Sequence, residues 1–181
     1  YQKKDREEDA ASAFRRALEY QPEHLASLDD LGQSMLTAEA WEAAVKIFEK
    51  LIQRTRIPKA RAAHELSLAQ ALKEVGDIDR SLDLYRQALE QNPGQPGARL
   101  QYAQMLIQQG NVDGARVCFE QVLSAPGVES IYRGEALVQL ADLYTQNYRD
   151  ATKGTALLTA ALEQPGPHRS EAAKRLAEIY G

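Results

Sequence analysis

The chain has 181 residues, 27% of them charged and 44% apolar, with a formal net charge of −4. That balance suits a folded domain or a short array of repeats and argues against a nucleic-acid binder, which would carry a basic face. No run approaches the ~18 apolar residues of a bilayer span, no signal-peptide pattern opens the sequence, and a lone cysteine, Cys118, excludes an internal disulfide framework.

Apolar residues recur at three- and four-residue spacing along the whole chain, without strand-like alternation. The pattern predicts an all-α protein of about ten helices, near 2–20, 25–38, 41–55, 59–75, 78–91, 96–109, 112–124, 130–147, 151–164 and 168–180. Punctuation supports these bounds. Pro22, Pro58, Pro93-Gly94, Pro126-Gly127 and Pro165-Gly166-Pro167 fall between predicted helices and Pro96-Gly97 opens one, so no proline interrupts a helix interior, because proline cannot continue a helix and glycine accepts the left-handed turn after one. Gly76-Asp77 and Gly110-Asn111 read as a helix stop followed by a helix start. The first helix carries an apolar face, Ala10, Phe14, Ala17 and Leu18, that expects a covering helix upstream. The last carries Glu171, Lys174, Arg175 and Glu178, a polar face suited to closing an array near Gly181.

The same helix pair recurs. Ala10…Phe14…Ala17-Leu18, Ala44…Phe48…Leu51, Ser81…Tyr85…Ala88-Leu89, Ala115…Phe119…Val122-Leu123 and Gly154…Leu158…Ala161-Leu162 are versions of one second helix. Leu28-x-x-Leu31-Gly32-x-x-Met35, Glu65-x-x-Leu68-Ala69-x-x-Leu72, Arg99-x-x-Tyr102-Ala103-x-x-Leu106 and Leu137-x-x-Leu140-Ala141-x-x-Tyr144 are versions of one first helix, and Leu176-Ala177-x-x-Tyr180 is a last copy. Met35, Leu72, Leu106, Tyr144 and Tyr180 are spaced by 37, 34, 38 and 36 residues. The pattern resembles the tetratricopeptide repeat (TPR) family, whose period is about 34 residues. The resemblance implies a right-handed α–α superhelix, a TPR solenoid with four full repeats over 25–61, 62–95, 96–133 and 134–169. Residues 1–24 would supply the second helix of a truncated repeat and 170–181 a terminal helix. By analogy with the family, Gly32, Ala69, Ala103 and Ala141 let Phe14, Phe48, Tyr85 and Phe119 approach, and stacking hides Leu31, Leu68, Tyr102 and Leu140.

Catalytic constellations do not emerge. His24, His64 and His168 fall in different repeats, and no zinc-type or phosphate-loop spacing exists. His64-Glu65 reads as an isolated pair on a helix, with His64 a surface or groove histidine, since adjacent residues point to different sides. Cys118, beside Phe119, reads as a small buried hydrophobe. Arg54, Arg56, Lys59 and Arg61 crowd around Pro58; they read first as a solvated loop, and alternatively as a contact for an anion or acidic peptide. No enzyme, cofactor or metal is expected.

The resemblance moves the question to a partner. In this family the concave side is lined by first helices, which here would present Asp29, Gln33 and Leu36, then Leu66, Gln70 and Lys73, then Leu100, Gln104 and Ile107, then Val138, Asp142 and Thr145. Leu66, Leu100 and Val138 would form an apolar row suited to hydrophobic side chains of a peptide or helix. Gln33, Gln70 and Gln104 would form an amide row able to donate to and accept from a peptide backbone. On this reading Leu100→Glu abolishes partner binding with the helical content unchanged. Family members that hold the C-terminal carboxylate of heat-shock chaperones use Lys, Asn and Arg on these helices. The matching places here hold Asp29 with Gln33, Ser67, and Gly97 with Gln101, so that cationic clamp is absent. The expected function is a non-enzymatic scaffold binding a protein or peptide, with glutamine- and alanine-rich repeats pointing to a bacterial envelope, secretion or polysaccharide assembly. The alternatives are a structural spacer with homotypic contact through the open N-terminal end, or the regulatory arm of a larger enzyme.

Overall fold

A computed structural model of the chain describes residues 25–180 and, ahead of them, Ser12 and Arg16. The helix predicted over 2–20, with its Phe14 face, lies outside the described residues. Nine helices follow: α1 (Leu25–Thr37), α2 (Trp41–Arg54), α3 (Pro58–Val75), α4 (Ile78–Gln91), α5 (Pro96–Gln108), α6 (Val112–Ser124), α7 (Ser130–Asp142), α8 (Ala151–Glu163) and α9 (His168–Tyr180). Among the described residues there is no strand. The chain divides after Pro93 into two compact units.

In the first unit each helix packs on the next in sequence, and α1 also touches α3. On α2, Ala44, Ile47, Phe48 and Leu51 stand at the spacing that lines one side of a helix, and all four are fully buried. Phe48 reaches the backbone of α1 at Gly32, where a Cβ would lie 2.7 Å from its Cζ. The small residue therefore sets the distance between the two helices. One repeat later the smallness is used differently: the Ser81 hydroxyl, fully buried, donates to the Ala69 carbonyl at 2.6 Å and ties α4 to α3. Between these helices Gly76 takes the left-handed conformation, φ 95°, and its amide and that of Asp77 both return to the Leu72 carbonyl. Where α2 ends, the buried Thr55 donates its Oγ1 to the Leu51 carbonyl at 2.7 Å.

Glu65 is the one charged side chain fully enclosed in the described part of this unit. Its carboxylate accepts from Arg61 Nε at 3.0 Å and from Gln91 Nε2 at 3.3 Å, joining the start of α3 to the end of α4. Neutralising a buried carboxylate needs its partners, so Arg61→Ala is expected to cost about 1–3 kcal/mol in chemical denaturation. An unchanged midpoint would show Gln91 to be sufficient.

The second unit repeats the scheme, with α5 on α6, α6 on α7, α7 on α8 and α8 on α9, and α7 touching both α5 and α9. Phe119, Val122, Ala141, Leu158 and Ala161 are buried. So is Cys118, whose thiol is pushed up by burial, with Arg99 opposing, in keeping with its reading as a small hydrophobe. Ala103 is fully buried, so Ala103→Leu is expected to lower stability by about 1–3 kcal/mol through overpacking; a thermal melt with no shift would refute the packing described. Leu68 and Leu140 are buried as expected, whereas Leu31 and Tyr102 are only half-buried.

One helix departs from the sequence pattern. The continuous helix predicted over 130–147 is α-helical to Asp142 and then makes a single wide π-type turn, Leu143–Asn147, closed by the Tyr148 amide on the Leu143 carbonyl at 3.1 Å. The Thr145 hydroxyl donates back to the carbonyls of Ala141 and Asp142, a contact that loosens a helix. Its methyl sits 2.3 Å from where a Cβ on Gly154 would be, so glycine there admits the widened turn.

Candidate functional site

In the first unit α1 touches α3, and of the side chains expected on the first-helix face Gln33 and Asp29 each meet a side chain of α3. Gln33 and Gln70 are exposed, while Asp29, Leu36, Leu66 and Lys73 are half-buried. Gln33 Nε2 donates to Ser67 Oγ at 3.2 Å, which orients its amide and leaves the carbonyl oxygen and a second hydrogen for a ligand. Asp29 has one oxygen, Oδ1, shielded from solvent with no hydrogen-bond partner, while its side chain as a whole is 42% exposed. His64 Nδ1 stands 3.5 Å from that oxygen. Lys73 Nζ lies 3.1 Å from the Glu74 carboxylate.

His64 narrows the sequence reading of a surface or groove histidine. It is 8% exposed, not a surface side chain, and its ring lies 6.3 Å from that of Phe48. Its helix neighbour Glu65 is buried as well, because α3 is packed by α1, α2 and α4 and two adjacent positions can each face a different neighbour. His64 and Ser67 were missed as site residues. The signal that marks them is lateral: Gln33 and Ser67 are 34 residues apart, close to one repeat, and His64 stands at a similar remove from Asp29.

In the second unit the expected face is different. Leu100 and Val138, two of the three members of the apolar row, are core residues at 1% and 3% exposure. Val138 lies on α7, which is packed by α5, α6, α8 and α9. A helix enclosed on that many sides buries residues nearly all round, and Ala136, Leu137, Val138, Leu140 and Ala141 are all covered. On α5, likewise, burial extends from Leu100 and Ala103 to Met105 and Leu106. An apolar groove row through Leu66, Leu100 and Val138 therefore does not exist. Gln104 and Ile107 are half-buried, and Gln104 Nε2 donates to Glu135 Oε1 at 3.3 Å. Asp142 is engaged by Arg175 of α9 at 3.4 Å; burial raises its carboxyl above the usual value and Arg175 opposes this. Thr145 belongs to the wide turn.

Among the concavities to which second helices contribute, two are lined by several apolar side chains. In the first unit a cleft of about 550 Å³ has Ile52, Leu68 and Leu84 among its lining, with Arg80 held by Glu49 at 2.7 Å. In the second, about 350 Å³ is lined by Leu140, Tyr144, Lys153, Ala156 and Leu157, with Lys153 Nζ 5.0 Å from the centre of the Tyr144 ring. Among the described residues no group of three or more His, Cys, Asp or Glu is placed to hold a metal ion, and no helix is long and apolar enough to cross a membrane.

Two family models for the tetratricopeptide repeat match the sequence, over residues 2–63 and 72–133, together more than half of it. The chain belongs to the tetratricopeptide repeat family. Its fold is that of an all-α TPR solenoid, the class expected from the recurring helix pair. No curated protein matches the sequence. Among solved structures, a crystal structure of MamA is similar at 18% identity and TM-score 0.71, over 90% of this chain and 88% of that one. YrrB, a TPR protein described as having an unusual peptide-binding site, is similar at 21% identity and TM-score 0.69, over 94% and 84%. The human IFIT1 dimer with PPP-AAAA is similar at 16% identity and TM-score 0.74, over 93% of this chain and 42% of that one. At these identities the likeness is one of TPR fold, and the named ligands differ in kind, so the choice of partner rests on side chains.

Proposed function

We propose that this TPR chain is a non-catalytic interaction scaffold that holds an extended segment of a partner protein on the α1–α3 face of its first unit. The observation that carries the reading is the fixed amide of Gln33, braced by Ser67, with Gln70 exposed one turn beyond Ser67 on α3. A carboxamide held in place can pair with a peptide N–H and C=O at once. Asp29 adds an acceptor at the near end of the same face. With Leu100 and Val138 buried, the ligand is bound by its backbone and polar groups more than by apolar anchors. The glutamine- and alanine-rich composition favours a bacterial multiprotein assembly, of the envelope, secretion or polysaccharide type, as the setting.

Peptides selected from a random library against the whole chain are expected to lose about tenfold in affinity when Gln33 and Gln70 are both changed to Ala, since two modest hydrogen bonds amount to that. Helical circular dichroism should not change. Undiminished binding by the double variant would overturn the assignment.

A further inference from the structure

The connection between α2 and α3 plays no part in that face. It consists of Thr55, Arg56 and Ile57. Thr55 points inward and is buried, whereas Ile57 is 67% exposed, more than any other large aliphatic side chain among the described residues. A concavity of about 390 Å³ is lined by Arg54 and Arg56 together with Gln53 and Leu25, and Leu25 is itself 37% exposed. Lys59, exposed, follows on the first turn of α3. Arg61 is held by Glu65, but among the described residues Arg56 and Lys59 take part in no ion pair. Arg54 and Arg56 thus share a concavity with Leu25, and the exposed Ile57 follows Arg56 directly in the chain, on a protein whose net charge is negative.

We propose that this connection is a second docking surface, for a short acidic segment of a partner protein whose carboxylates alternate with apolar side chains. Guanidinium groups match carboxylates in geometry as well as charge. The apolar side chains of such a segment would cover Ile57 and Leu25, which water now faces. A nucleic-acid strand would satisfy the cations and leave the isoleucine wet, so the combination favours the peptide.

The test is fluorescence anisotropy on the full chain with a labelled peptide alternating Asp or Glu with Leu. Its controls are the same peptide with Lys for each acid and a single-stranded oligonucleotide of equal charge. The acidic peptide is expected to bind, more weakly as salt is raised, and the Lys peptide not to bind. Arg56→Glu turns an attraction into a repulsion and is expected to weaken binding by about tenfold. Ile57→Ser is expected to weaken it several-fold with the same salt dependence. Gln33→Ala with Gln70→Ala should leave it unchanged, which separates this surface from the α1–α3 face. Equal binding by wild type and Arg56→Glu overturns the proposal. So does an oligonucleotide that binds as tightly as the peptide, an unaffected Ile57→Ser, or loss confined to the glutamine variant. Sedimentation at several concentrations covers the remaining occupant: a dimer abolished by Arg56→Glu would make the acidic segment one of this chain's own and refute a separate partner.

Discussion

Leu100→Glu is expected to destabilise the protein by about 4 kcal/mol or more. The side chain is 1% exposed, so the substitution removes a buried leucine and leaves a carboxylate with no place in water. Denaturation by urea should show the loss in the midpoint, and raising the temperature should unfold the variant well before the parent. If Leu100 instead faced a ligand groove, the same change would leave stability within about 0.5 kcal/mol of the parent and act on binding alone. The two outcomes are far enough apart for one melting curve to decide between them.

The second large effect lies at Gly32 and Phe48. Phe48→Ala is expected to cost about 3–5 kcal/mol, as for other fully buried aromatics. Gly32→Ala by itself should cost about 1–3 kcal/mol, because the new methyl would meet a ring that is enclosed and cannot retreat. In the Phe48→Ala background the closest obstruction is gone and Ile47 Cγ2, 3.2 Å from the new carbon, can shift into the vacated space, so alanine's better helix propensity should make Gly32→Ala neutral or stabilising by up to about 1 kcal/mol. The sign of the glycine substitution thus reverses between backgrounds, a coupling that double-mutant denaturation measures directly. Additive effects would mean that α1 and α2 do not depend on that contact for their spacing.

These two sites show what was legible in the sequence. The repeat marks a small residue and an aromatic at fixed positions but matches Gly32 with Phe14 and Ala69 with Phe48, whereas Phe48 lies against Gly32 of its own helix pair. The helix bounds were legible because proline and glycine act locally on the backbone. Leu100 and Val138 were not, because which sides of a first helix are covered depends on how many helices surround it. Each stands three positions before a fully buried alanine, Ala103 or Ala141, on much the same side of its helix, and that local mark does not say how far round the helix the cover extends. Gln33 and Asp29 could be placed on the face, but their partners Ser67 and His64 become visible only when residues about one repeat apart are compared. The wide turn at Leu143–Asn147 depends on Thr145 meeting Gly154, a contact between two helices that no run of residues displays.

Thr55 and Glu65 have a joint effect on what lies between them. The hydroxyl of one fastens the end of α2 and the carboxylate of the other fastens Arg61 near the start of α3, leaving a bridge too short to wander. Charges mounted on such a span behave as fixed studs more than as tethered ones, so a guest arriving there finds its site already assembled and little freedom is lost when it settles.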